Sequence, residues 1–143
     1  MKIVLDASVL VAIVADDETS DYARAVLDAC AEREIVVPAM WRWEVADTFV
    51  RLERKGCLPD ATAAFANVAR NFPVSVANDA PIDDEIALAK THQLSVYDAA
   101  YLALAIREKA VLATLDARLA RAAKREGTLF EPGATSTVGS KER

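Results

Sequence analysis

Four acids in this chain stand where carboxylates can act together. Asp6, Asp98 and Asp116 each close a short apolar run at a point where a helix should begin, and Glu44 lies inside a fourth apolar segment. Carboxylates gathered in one crevice repel one another, so such a cluster persists only where protons or a cation relieve it. The chain has one histidine and two widely separated cysteines, so the better reading of the relieving group is a divalent metal held by oxygen. Mg2+ or Mn2+ suits such a site. Mg2+ takes one or two carboxylates, keeps several waters and shares its remaining positions with substrate phosphates. The chemistry this points to is phosphoryl or phosphodiester transfer.

The elements that must position these acids alternate along the chain. Ile3–Leu5, Ile35–Val37, Val74–Val76 and Val111–Ala113 read as short buried strands, with Leu129-Phe130 as a final one. Between them, helices are expected over about 7–15, 21–33, 40–55, 59–71, 78–92, 97–109 and 117–126, with a capped turn at Asp16 to Ser20. Pro38 stops the second strand, and Gly56 is placed to end the helix that carries Glu44. The segment from Tyr97 to Lys109 is apolar on nearly every side and should be buried. Short strands joined by helices predict an α/β fold with a mostly parallel sheet and right-handed crossovers. Ligands of such sheets bind at the carboxyl ends of the strands, the crevice that three of the four acids should reach independently.

Each acid also has a plainer reading. Asp6 and Asp116 precede helices, where aspartate is a favoured N-cap, and Ser95-x-x-Asp98 matches a capping box. Glu44 is harder to set aside. Trp41, Val45, Thr48 and Phe49 lie on or beside its helical face, where a charged residue is rarely buried without a partner. A rim position with the carboxylate turned to water is its plain alternative.

Composition sets the bounds. The 143 residues form one domain over 1–133, and the small, polar residues 134–143 read as a disordered tail. Hydrophobic residues make up 53% and charged ones 27%, a globular profile. Asp6 interrupts the apolar start and argues against a signal peptide. No stretch approaches the ~20 apolar residues of a membrane span. With Cys30 and Cys57 unsuited to a disulfide framework, a cytoplasmic location is expected. Net charge is −5, but setting the four acids aside leaves 18 acidic against 17 basic residues, a balance of −1. The acidity therefore neither opposes nor supports a nucleic-acid partner. No glycine-rich phosphate loop and no Gly-x-Ser-x-Gly elbow is present. His92 is alone, which excludes two-histidine acid–base cleavage, and its place near a helix end suits a surface imidazole. Arg118, Arg121 and Arg125 form one basic stripe and Arg51, Arg54 and Lys55 another, either solvated faces or guides for an anionic polymer.

Four segments carry a resemblance. Lys2-Ile3-Val4-Leu5-Asp6-Ala7-Ser8, Trp41-Arg42-Trp43-Glu44-Val45-Ala46, Tyr97-Asp98-Ala99-Ala100-Tyr101-Leu102-Ala103-Leu104-Ala105 and Ala113-Thr114-Leu115-Asp116 resemble the signatures of PIN-domain ribonucleases. More closely they resemble the VapC toxins of VapBC toxin–antitoxin pairs, in order and spacing over roughly residues 1–131. The resemblance implies a PIN-like three-layer α/β/α domain, with Asp6, Glu44, Asp98 and Asp116 around Mg2+. It places Ser8 and Thr114 as hydroxyls lining that pocket, where ordinary capping is the alternative. It further implies hydrolysis of an RNA phosphodiester to a 3′-hydroxyl and a 5′-phosphate, a VapB-type antitoxin partner and a homodimer, in which Trp41 and Trp43 could serve. Two departures stand out. Asp47 occupies a position where many relatives have Asn. After Asp116 come Ala117 and Arg118, where some relatives carry a further acid or amide, which weakens the case for a second tightly held metal. A non-catalytic PIN-type RNA- or protein-binding module and an aspartate-nucleophile phosphatase are the alternatives. The phosphatase usually needs an acid two residues after the nucleophile, where Ser8 stands.

Overall fold

The computed structural model describes residues 1–15, 20–78 and 81–133, so the tail from Ala134 and most of the turn at Asp16 to Ser20 lie outside the described residues. Four strands, β1 (Lys2–Leu5), β2 (Glu34–Val37), β3 (Val74–Val76) and β4 (Val111–Ala113), form one sheet in the order β3-β2-β1-β4. Every pairing is parallel, with Val4 opposite Val36 on one side and Leu112 on the other. Ile3, Val4 and Leu5 are fully buried, as expected of the central strand of a sheet covered on its faces. The helices are α1 (Ala7–Ala15), α2 (Asp21–Glu32), α3 (Trp41–Arg54), α4 (Ala61–Asn71), α5 (Asp83–His92), α6 (Val96–Glu108) and α7 (Ala117–Arg125).

The chain adds β2 and β3 on one side of β1, then crosses to place β4 on the other. The switch point therefore lies between β1 and β4, which opens a crevice at their carboxyl ends. α6 packs against β1 and β4, and α1 packs against α3. Tyr101 to Ala105 of α6 are all buried, as the unbroken apolar run predicts.

Helix ends show how local sequence and packing share the work. At α3, Gly56 takes φ +77°, and the amides of Gly56 and Cys57 bond the carbonyls of Glu53 and Leu52, a Schellman arrangement. α5 begins at Asp83, later than the expected 78–81, with no side-chain cap and three acids in its first turn. α5 and α6 end on Gln93 and Lys109 in the left-handed region without glycine. Leu129 pairs with Leu112 only through an isolated bridge, so the expected last strand is reduced to a single bridge. Cys30 and Cys57 are unpaired, and burial pushes the Cys30 thiol up to about 11. Among the described residues no helix is long and apolar enough to cross a membrane.

Candidate active site

Asp6 follows β1 directly, and its amide continues the ladder to the Ala113 carbonyl of β4 at 3.1 Å. Its backbone carbonyl starts α1 by accepting from Val9, while its side chain turns to another task. Oδ2 accepts from the Ser8 hydroxyl and from the Thr114 hydroxyl, each at 2.7 Å. Thr114 in turn accepts the Asp116 amide at 3.0 Å, and Ser8 accepts the Leu115 amide at 3.1 Å. The two hydroxyls thus tie the ends of β1 and β4 together around one carboxylate oxygen. The Tyr22 hydroxyl accepts the Thr114 amide from α2 and closes the back of this network.

Asp116 caps α7, accepting the Leu119 amide at 2.9 Å. Asp98 stands in the first turn of α6, its amide bonded to the Ser95 hydroxyl at 3.0 Å, which realises half of the capping box. Capping and a place in the crevice are compatible, because the N-termini of α1, α6 and α7 converge there. Glu44 arrives from α3 and accepts a hydrogen bond from the Tyr101 hydroxyl of α6.

All four acids line one open cleft of about 340 Å³, together with Ser8, Asp47, Thr48 and Arg51. Asp6 is only 7% exposed, and burial is the main cause that raises its pKa. The Thr114 and Ser8 hydroxyls pull it back down, and the Asp116 charge raises it further. Burial also leads the upward shift of Glu44, opposed by the Tyr101 hydroxyl and reinforced by Asp6 and Asp98. Asp98 is raised by burial, then by the charges of Asp116 and Asp6, with Ser95 and Arg118 acting against them. These groups feel one another as like charges in a partly dry cleft, the condition that protons or a cation relieve. Among the described residues no three acid, histidine or cysteine side chains stand close enough to grip one ion in common. The donor set fits an ion that takes one or two carboxylates directly and reaches the others through water.

Several residues took their places only in three dimensions. Tyr101 and Tyr22 carry hydroxyls into the acid network. For Tyr101 the available signal was a large phenol in a helix apolar on nearly every side, which must find a polar partner. Arg51, expected in a basic stripe with Arg54 and Lys55, lies on the cleft wall and pairs with Asp47 at 3.2 Å, so the extra rim charge is offset. Trp41 is core at 3% exposure, whereas Trp43 is 74% exposed, because α3 turns only one of the two into the core. His92 is no surface imidazole. Its side chain is 5% exposed, with Nε2 paired to Glu126 at 2.7 Å.

The PIN domain model matches residues 3–125. Ribonuclease VapC3 from Pyrobaculum aerophilum is 35% identical over 127 residues, which cover 84% of this chain and 93% of that protein. The solved structure of PAE2754 from Pyrobaculum aerophilum superposes with a TM-score of 0.69 at 19% identity, covering 98% of this chain and 96% of the other. FitAcB from Neisseria gonorrhoeae superposes with a TM-score of 0.62 at 18% identity, over 85% and 93% of the two chains. At those identities the two structures bear on the fold alone. The chain belongs to the PIN-domain family, among the relatives of the VapC ribonucleases.

Proposed function

We propose that this protein is a metal-dependent endoribonuclease, the toxin of a type II toxin–antitoxin pair, and that Asp6, Glu44, Asp98 and Asp116 are its working acids. The observation that carries the reading is the gathering of four carboxylates, three with raised pKa values, at the β1/β4 switch point. When bound, Mg2+ or Mn2+ would supply Lewis acidity toward the scissile phosphate and its attacking water.

The protein's own share is placement. Thr114 and Ser8 occupy Asp6 Oδ2, which leaves Oδ1 as the oxygen for the ion. Tyr101 fixes Glu44 in the same way through Oε1. Asp116 spends one oxygen on the Leu119 amide and offers the other. Asp98 and Asp116 are the candidates to accept the water's proton. The match to Ribonuclease VapC3 supports RNA as the substrate.

The test is cleavage of a labelled single-stranded RNA. It should require Mg2+ or Mn2+, stop in EDTA and leave 5′-phosphate ends. Hydrolysis of a chromogenic phosphate ester without RNA cleavage would instead favour the phosphatase reading, and binding without cleavage a non-catalytic module. A VapB-type antitoxin would close the pocket by placing an arginine or lysine among the carboxylates. Expression alone should then arrest growth in the cytoplasm, and co-expression with the antitoxin should relieve it. If the same carboxylates serve both roles, Glu44→Gln or Asp98→Asn should weaken the antitoxin's grip as well as abolish cleavage. A homodimer is part of this reading, and the exposed Trp43 is a residue it could cover. Sedimentation of the purified protein would decide that point.

A further inference from the structure

A second cleft, of about 440 Å³, lies between the C-terminal turn of α5 and the exposed face of α7. Thr91, His92 and Gln93 form one wall, and Arg118, Arg121 and Arg125 the other, with Ala122 between them. Among the described residues no ion pair involves any of these three arginines. The carboxylate beside them, Glu126, is held by His92 Nε2 at 2.7 Å and is not paired with a guanidinium. Complementing the helix dipole accounts for Arg125 in the last turn of α7 but not for Arg118 in the first, where a cation is disfavoured. Arg118 also stands two residues from Asp116, close enough for its charge to act on Asp98, so this cleft opens beside the acid pocket. From Arg118 to Arg125 the helix advances about 10 Å at roughly 1.5 Å per residue, room for more than one backbone phosphate.

We propose that the arginine cleft of α7 holds backbone phosphates of single-stranded RNA that flank the bond cut in the acid pocket. The inference rests on the ribonuclease reading and extends it by naming where the strand leaves the site. Guanidinium forks suit phosphate oxygens and carry no base preference, so the cleft would set register and not sequence. The strand would meet Arg118 first, beside the scissile bond, and Arg121 and Arg125 further along.

The test uses the full chain with Asp6→Asn, so that RNA is bound and not cut. A fluorescein-labelled single-stranded RNA of mixed sequence is titrated by anisotropy over a range of KCl at fixed Mg2+. Arg121→Ala/Arg125→Ala should weaken binding at least about tenfold and reduce the salt slope by about 0.7 per arginine lost. Arg121→Lys/Arg125→Lys should retain the slope. Arg70→Ala, on α4, serves as the control. In the active protein the double substitution should raise KM and spare kcat. Should the alanine variant not fold, Arg121→Gln/Arg125→Gln keeps the stems and removes the charge. Affinity within twofold of the Arg70→Ala control, with an unchanged slope, would overturn the cleft while leaving the nuclease reading intact. A protein with an unmodified acid pocket that neither binds nor cuts RNA would remove both.

Discussion

The acid pocket and the arginine cleft meet at the start of α7, yet they are built in opposite ways. In the acid pocket every charge is tethered or partly dried. Asp6 is held by two hydroxyls, Glu44 by a phenol, Asp116 by a helix amide, and burial raises three of the four pKa values. In the cleft the arginines are exposed, long and free of ion pairs among the described residues. The difference follows from what each would hold. Coordination of a small cation tolerates little error in oxygen position, so the protein spends hydrogen bonds on preorganisation. A phosphate backbone needs only a positive field at about the right spacing, and flexible side chains supply that.

This contrast can be broken most forcefully at Asp6. Asp6→Asn keeps the shape and removes the charge, and RNA cleavage should fall by about 10²–10³-fold or more, the scale of losing one preorganised electrostatic group. Its melting temperature should hold or rise, because a buried charge has gone. Wild-type cleavage by that variant would end the assignment of the metal site. Each arginine of the cleft, by contrast, should cost far less and act through KM.

Tyr101→Phe sharpens the same contrast by removing tethering without removing charge. Loss of the hydrogen bond to Glu44 should lower kcat by about 10–100-fold. Stability should fall by about 1 kcal/mol, since the ring still fills the core. The hydroxyl lowers the Glu44 pKa, so without it the acid limb of the pH–rate profile should move to higher pH. A profile that does not move would show that Tyr101 serves packing alone.

The smallest effect concerns the metal-free protein. Asp6, Glu44 and Asp98 have folded-state pKa values above their ordinary ones, 3.8 for aspartate and 4.5 for glutamate. As pH rises through that interval the unfolded chain releases its protons first, so these groups withdraw stability and do not add it. In EDTA the wild-type melting temperature, measured relative to Asp6→Asn, should therefore decline from about pH 4 toward neutrality. Mg2+ or Mn2+ should restore a few degrees at neutral pH by linkage. A difference that grows in favour of the wild type with pH, or no divalent-specific shift, would show that the carboxylates do not crowd one another.

Much of the fold was legible because its signals are local. The four apolar runs became the strands, the run at α6 became a buried helix, and Gly56 ended α3 as its φ +77° requires. The misses share a cause. Gln93 and Lys109 adopt a left-handed turn that only their surroundings can hold, since neither residue favours it. Leu129-Phe130 has the composition of a strand but gains only one bridge to Leu112, too little partner for a ladder. Trp41 and Trp43 are equally hydrophobic, and which one is buried depends on how α3 rotates against α1 and α4. His92 is drawn inward by Glu126, 34 residues away, a pairing that spacing along a helix does not reveal.

By itself the sequence determined the alternation of elements, the three aspartates at element boundaries and the carboxylate composition of the site. Those features depend on short-range rules, of propensity, capping and burial, that act within a few residues. The tertiary structure alone decided the rest. It set β4 beside β1 and so brought Asp6 within reach of Thr114, 108 positions away. It also turned Tyr101 onto Glu44 and left Arg118, Arg121 and Arg125 facing an open cleft. Hydrogen bonds and fields act through space, and the distances across which they act are fixed only when the sheet order and the helix packing are fixed.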